Sequence, residues 1–170
     1  FSNEIWLLEH PPVFTLGTAA DNSHVLDPKD IPVVQSDRGG EVTYHGPGQL
    51  VIYFLLDIKK LGCGPSKLVV SIQEFIKELL SDLSIESSFV EGAPGVYVND
   101  KKIASIGLRI SKNKTYHGVS INFDMDLKPF TYINPCGYEG LEVTQIKDFN
   151  RNISKLQLEE LVIEKLRHIF

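Results

Sequence analysis

The chain has 170 residues, of which 42% are hydrophobic and 23% charged, with a formal net charge of −5. That length suits one domain with a single substantial core, and the composition excludes a disordered or fibrous chain. The acidic balance argues against general nucleic-acid binding, which needs a cationic footprint, and no apolar run reaches the roughly 18 residues of a membrane span.

Residues 1–170 are read as one domain, without repeat, linker or low-complexity tract. The chain opens at Phe1 without a methionine and enters the strand-like IWLLEH almost at once, so upstream residues, and any targeting segment among them, are expected to be missing. After IWLLEH, the runs VFTLG and PVVQS are short and β-branched or aromatic, which suits strands. The glycine-rich RGGEVTYHGPGQL, residues 38 to 50, follows and leads into QLVIYFLLDI, a candidate buried strand.

Beyond Gly64 and Pro65, Val69, Ile72, Phe75, Ile76, Leu79, Leu80 and Leu83 recur at helical spacing, predicting a helix over 66–83 that lies across a sheet. VYVNDKKIASIG reads as a hairpin turning on Asn99 and Asp100, which places Lys102 at the start of a strand. YHGVSINF is a further strand. Ser154 with Gln157 forms a capping box for a C-terminal helix carrying Leu158, Leu161, Val162 and Leu166. Strands outnumber helices without alternating with them, so the expected class is α+β, a mixed or mostly antiparallel sheet with helices on one face.

Gly39, Gly40, Gly46 and Gly48 would let a backbone approach a ligand closely, as a substrate cradle requires, or they serve a pair of tight turns. Neither a Walker loop nor a complete dinucleotide fingerprint is present, and no CxxC or HExxH suggests a metal. His45 and His117 could line one pocket or be structural; His10, His24 and His168 carry no motif.

The two cysteines are expected to be free, in a reducing compartment. Cys63 precedes a helix and reads more readily as a turn residue than as an activated thiol. Cys136, in INPCGY, is set in a turn that would expose its thiol with a free N–H beside it, as an acyl-transfer nucleophile needs. A thiol of pKa near 8.5 also needs a base or a cation. Lys101, Lys102, Arg109, Lys112 and Lys114 give residues 101 to 123 a charge of +5, either a lysine-guarded strand edge or a docking face for an acidic partner.

RGGEVTYHGPGQL, KKIASIGLRI, YHGVSINFDMDL and INPCGYEG, in that order, resemble the octanoyltransferases of lipoate biosynthesis, over a stretch running from EIWLLEHPPVFTLG to about Gln145. The resemblance implies the fold of lipoate and biotin protein ligases. It further implies transfer of an octanoyl group from acyl carrier protein, through a cysteine thioester, to a lysine of lipoyl domains in 2-oxoacid dehydrogenases and the glycine-cleavage H protein. This is the first step of endogenous lipoate synthesis, and it needs no cofactor.

By the same resemblance Cys136 is the nucleophile and Lys102, not Lys101, its partner. Arg38, Gly39, Gly40, Glu41, Val42, Thr43, Tyr44, His45, Ser105, Ile106, Gly107, His117, Gly118 and Val119 would bind substrate, their backbone N–H groups holding the thioester oxyanion. Lys101 and Arg109 are candidates for lowering the Lys102 pKa from about 10.4. Glu41 departs from a glutamine common in the family, and TAADNSH from its usual turn. The expected home is the cytoplasm of a bacterium, which the compact form favours over a mitochondrial matrix. The alternatives are an ATP-dependent ligase of the same fold and a non-catalytic module that binds carrier protein.

Overall fold

Alternation along the longest apolar strand organises the molecule. In β5 (Gln49–Leu55), Leu50, Ile52 and Phe54 point one way and join the main core, while Val51 and Tyr53 point the other way toward a cavity. A strand covered on both faces reads as an unbroken apolar run, which is why QLVIYFL does not alternate with polar residues.

The computed structural model describes residues 2–169, and its class is α+β. One sheet has the order β1 (Glu4–Leu8), β5, β9 (Lys114–Asn122), β8 (Lys101–Ser111), β7 (Ala93–Val98), β6 (Ser88–Val90), with every neighbouring pair antiparallel. A second sheet has the order β3 (Val33–Gln35), β2 (Val13–Leu16), β4 (Thr43–His45); β2 runs parallel to β3 and antiparallel to β4. The expected mixed, mostly antiparallel arrangement is therefore present. Two strands were not anticipated: β4 lies inside the segment read as a glycine loop, and β6 is short with all three residues exposed.

α1 (Pro65–Asp82) and α2 (Lys155–Ile169) pack on the Leu50–Ile52–Phe54 face of the large sheet. The buried stripe of α1 is Leu68, Ile72, Phe75, Ile76, Leu79 and Leu80. Leu68 takes the core place expected of Val69, which is half-buried at the stripe's edge. The capping box at α2 forms as expected: the Ser154 N–H donates to Gln157 Oε1 at 2.8 Å and the Gln157 N–H to Ser154 Oγ at 3.2 Å. The turn before β8 is also as expected, with Asn99 and Asp100 at φ of 48° and 62°.

The small sheet has its own core, around Phe14, Leu16, Val42, Tyr44 and Phe130, and it covers the other face of the large sheet. Between them the floor is laid by Val51, Tyr53, Ser105, Gly107, Gly118 and Ser120. These are mostly small residues, and they leave room for a cavity. No helix among the described residues is long and apolar enough to cross a membrane.

Candidate active site

Strict alternation along β8 would turn Lys102 toward the helices together with Ala104 and Ile106. A bulge prevents this. Tyr97 of β7 pairs with Lys102 but Val96 pairs with Ala104, so Ile103 is an extra residue on β8. Ile103 goes into the main core, and Lys102 joins Ser105 and Gly107 on the cavity side.

The Lys102 backbone is held from the far side by residues 142–144: its N–H donates to Glu142 O at 2.9 Å, and its carbonyl accepts from the Thr144 N–H at 3.0 Å. Its side chain, only 3% exposed, passes Gly95 and lies over the Tyr97 ring, with Nζ 5.5 Å from the ring centroid. Nζ donates to Cys136 Sγ at 2.8 Å. Lys101, one residue earlier, points outward to an ion pair with Glu142 at 3.2 Å.

Gly95 is indispensable to this placement. Its φ is +143°, and a Cβ there would stand 2.4 Å from Lys102 Cε and 2.6 Å from the Ala104 carbonyl. Gly95→Ala is therefore expected to displace the Lys102 side chain and depress turnover far more than it alters substrate affinity. Steady-state kinetics check this, and an unchanged kcat would contradict it.

Cys136 sits in a single turn, Pro135–Gly137, at φ 57° and ψ 22°, followed by Gly137 at φ 77°. A left-handed conformation at a non-glycine residue costs of order 1–3 kcal/mol and persists only where its surroundings enforce it. Here the Cys136 N–H donates to Val42 O at 3.0 Å and the Asn134 N–H to His24 O at 2.8 Å, tying the turn to the residue before β4 on one side and to the single 3-10 turn Asn22–His24 on the other. The N–H of Cys136 is thus not free, contrary to expectation, and those of Gly137 and Tyr138 are spent on Asn134 O and Pro135 O at 3.0 and 3.1 Å. An oxyanion at this thiol would have to be met by side-chain charge or by other groups on the wall.

A second buried cation that acts on Cys136 is Arg38. Its Nε donates to Thr15 Oγ1, Nη1 to Gly39 O, and Nη2 to both Thr15 O and Glu41 O, at 2.6 to 3.0 Å. Burial pushes its pKa down, while the negative charge of Cys136 and Glu41 favours its charged form. No side-chain carboxylate among the described residues bonds the guanidinium directly, so its positive potential is left for the cavity. Lys101 and Arg109, considered from sequence as cations acting on Lys102, do not reach the cavity: Lys101 is paired outside, and Arg109 is exposed beside Tyr116. Of the cations between residues 101 and 123, Lys101 and Lys102 lie where β8 is flanked by both β7 and β9, whereas Arg109 lies beyond the β7 pairing, which ends at Ala104, and Lys112 and Lys114 stand at the turn from β8 to β9.

Farther along the cavity, two histidines meet Tyr53, and a third, His45, lies with its ring centroid 5.7 Å from that of His10. His10 Nε2 lies 2.6 Å from the Tyr53 hydroxyl, and the His117 ring meets the Tyr53 ring edge-on. His117 has φ 60° within β9; this turns its ring out of the core-facing row of Val119 and Ile121 to reach Asp37, with Nε2 2.7 Å from Oδ1. The Asp37 carboxyl is held below its usual range by His117 and then Tyr116. The Gln49 amide donates to Tyr44 O and Asn122 Oδ1, so its Oε1 accepts from His45 Nδ1–H at 2.7 Å.

Burial lowers the His45 pKa from the usual 6.5 to about 4, opposed by that bond. The unfolded chain binds this proton more readily than the folded one, so His45 favours folding above pH 6.5, and that contribution is lost as the pH falls from 6.5 toward about 4. Denaturant titrations over this range are expected to show the loss in the parent protein and a flatter profile in His45→Gln.

One cavity of about 300 Å³ is lined by Lys102 and Cys136 together with Arg38, Gly40, Glu41, Val42, Thr43, His45, Ser105, Ile106, Gly107, His117, Gly118 and Val119. Gly39 and Tyr44 are not on its wall. The Gly39 N–H bonds Leu108 O at 3.2 Å, and Tyr44 packs between Phe14 and Phe130. Gly46 and Gly48 are turn residues; a Cβ on Gly48, at φ 83°, would lie 1.8 Å from the Asp124 carbonyl. His10, Thr15, Val51, Tyr53, Ser120 and Tyr138 also line the cavity and escaped the sequence reading. Alternation along β5 could have found Val51 and Tyr53; His10 had no signal.

The family model described as the lipoyl protein ligase A/B catalytic domain matches residues 2–167. Among curated relatives, the octanoyltransferase of Hahella chejuensis is 56% identical over 153 residues, covering 90% of this chain and 68% of the relative. That of Chromobacterium violaceum is 49% identical over 168 residues, covering 98% and 81%. A lipoate-protein ligase A solved with ATP superposes with a TM-score of 0.80 at 14% identity, over 99% of this chain and 72% of that one. The apo biotin protein ligase of Aquifex aeolicus gives 0.56 at 20% identity, over 71% and 52%. At these identities the two ligases establish a shared fold.

Proposed function

The chain belongs to the lipoyl protein ligase A/B catalytic domain family, and from that premise we propose that Cys136 carries the acyl group and Lys102 its proton. The activity is octanoyl transfer in lipoate biosynthesis, that of relatives 49 to 56% identical to it. An ATP-dependent ligase has weaker support, since the ligases share the fold at only 14 to 20% identity.

The observation that carries the assignment of roles is the 2.8 Å contact from Lys102 Nζ to Cys136 Sγ, on a wall shared with Arg38. Two positive groups beside one sulfur favour the thiolate, the nucleophilic form. The thiolate attacks the carbonyl carbon of an octanoyl thioester on acyl carrier protein; the new C–S bond replaces the carrier's, and the Lys102 ammonium protonates the departing carrier thiolate. A lipoyl-domain lysine gives one ammonium proton to the now neutral Lys102 and attacks the acyl-cysteine as the amine; the new C–N bond replaces the C–S bond, the second proton passes to solvent, and Cys136 returns as its thiolate. Exchange of thioesters is close to neutral and the final amide step is downhill, so no nucleotide is consumed.

Residues 1–170 act in this reading as one catalytic domain, in a reducing compartment such as the bacterial cytoplasm, where the Cys136 thiol stays free. The donor is octanoyl acyl carrier protein and the acceptors are lipoyl domains, the H protein of glycine cleavage among them. Apolar walls suit the chain, at roughly 0.8 kcal/mol per buried CH₂. Purified protein supplied with octanoyl acyl carrier protein and an apo lipoyl domain is expected to octanoylate the domain without ATP. Product that appears only with free octanoate and ATP would restore the ligase reading.

A further inference from the structure

Aminolysis of the acyl-cysteine imposes a second demand on the site. The acceptor lysine arrives as an ammonium, its ordinary pKa being about 10.4, and has to be brought beside the thioester carbon. Arg38 is cationic and would repel it, and Lys102, neutral once it has protonated the carrier thiolate, offers it no countercharge.

Glu41 is the carboxylate on the same wall as Cys136. A Cβ built on Gly137, the residue after the nucleophile, would stand 3.3 and 3.4 Å from Glu41 Cγ and Cδ and 3.2 Å from His24 Cε1. Glu41 and His24 therefore pack directly against the nucleophile's turn. One carboxylate oxygen, Oε2, is fixed: it accepts from the Asp21 N–H at 3.2 Å and lies 3.1 Å from His24 Nδ1. The other, Oε1, bonds no group among the described residues. Side-chain exposures of 22% for Glu41 and 24% for His24 leave the pair reachable from outside.

The charged and titratable groups around Glu41 are His24 and Asp21 from the turn ahead of it, Arg38 from its own loop, and Cys136 with its partner Lys102 on the cavity wall. Arg38 meets Glu41 through the backbone carbonyl, which leaves the carboxylate available.

We propose that Glu41, oriented by His24 and the Asp21 N–H, is the receiving site for the acceptor lysine's ammonium, with Oε1 as its free acceptor. This rests on the acyl-cysteine reading above. Glu41 contributes binding and alignment, and the bonds that form and break remain those of the aminolysis already described.

The test uses octanoyl-enzyme prepared from octanoyl acyl carrier protein and isolated before a nucleophile is added. Single-turnover release is followed by intact mass with an apo lipoyl domain, whose lysine is cationic, and separately with hydroxylamine, which is neutral at pH 7.5. Glu41→Gln is expected to raise the half-saturating concentration of the lipoyl domain about tenfold or more, the range of one charge-assisted hydrogen bond, and Glu41→Asp to recover part of it. Release by hydroxylamine is expected to be equal in Glu41→Gln and the parent. Equal slowing with both nucleophiles, or no change with the lipoyl domain, would overturn the assignment. Failure of the parent enzyme to form any adduct would overturn the acyl-cysteine reading, and this inference with it.

Discussion

Lys102→Ala is expected to lower octanoyl transfer by about 10²- to 10⁴-fold, the range over which a positioned proton-transfer group contributes, while Lys101→Ala stays close to the parent. The two lysines are adjacent and chemically identical, so their environments alone separate them. Lys102 is turned inward by the Ile103 bulge and threaded past Gly95 to Cys136; Lys101 holds an exposed ion pair with Glu142, worth little. The deficit should fall mainly on kcat, because Lys102 acts on the reacting sulfur and its proton. Parallel measurement of kcat and KM decides the matter, and equal losses in both variants would remove the distinction.

Arg38→Ala is expected to destabilise the fold by more than about 3 kcal/mol. The guanidinium satisfies the carbonyls of Thr15, Gly39 and Glu41 and the Thr15 hydroxyl, and it joins β2 to the loop before β4. Each buried acceptor left without a donor costs roughly 1–3 kcal/mol. A single ammonium cannot reproduce the planar fork, so Arg38→Lys should recover only part of the loss. Denaturant midpoints measure both. A change in Arg38→Ala under about 0.5 kcal/mol, the size of a surface substitution, would refute this structural role.

The two functions of Arg38 show where the sequence stops being legible. Features set by neighbouring residues could be read directly: the Ile72–Phe75–Ile76–Leu79–Leu80 stripe of α1, the Asn99–Asp100 turn and the Ser154–Gln157 cap each depend on local spacing or local backbone preference. The direction of Lys102 depends on a one-residue slip between β7 and β8, which no pattern within KKIASIG announces. Arg38 sits at the edge of a glycine-rich run, but two of its four side-chain hydrogen bonds go to Thr15 of β2, more than twenty residues earlier. β4 is three residues long and hidden among glycines, so the acceptor that takes up the Cys136 N–H, Val42 O, could not be anticipated either.

His117 and His10 reach the cavity by different means. The first does so through a left-handed backbone inside β9, the second by following β1 off the edge of the sheet. Neither signal is local. The four motifs carried the family where periodicity could not, and they drew Gly39 and Tyr44 into the expected pocket together with the residues that line it.

The most direct measurement is the intact mass of the protein after incubation with octanoyl acyl carrier protein alone, followed by peptide mapping. One octanoyl group on Cys136, absent from Cys136→Ala and discharged when an apo lipoyl domain is added, is the expected result. Octanoylation of the lipoyl domain at an undiminished rate by Cys136→Ala, with no enzyme-bound intermediate, would contradict the account.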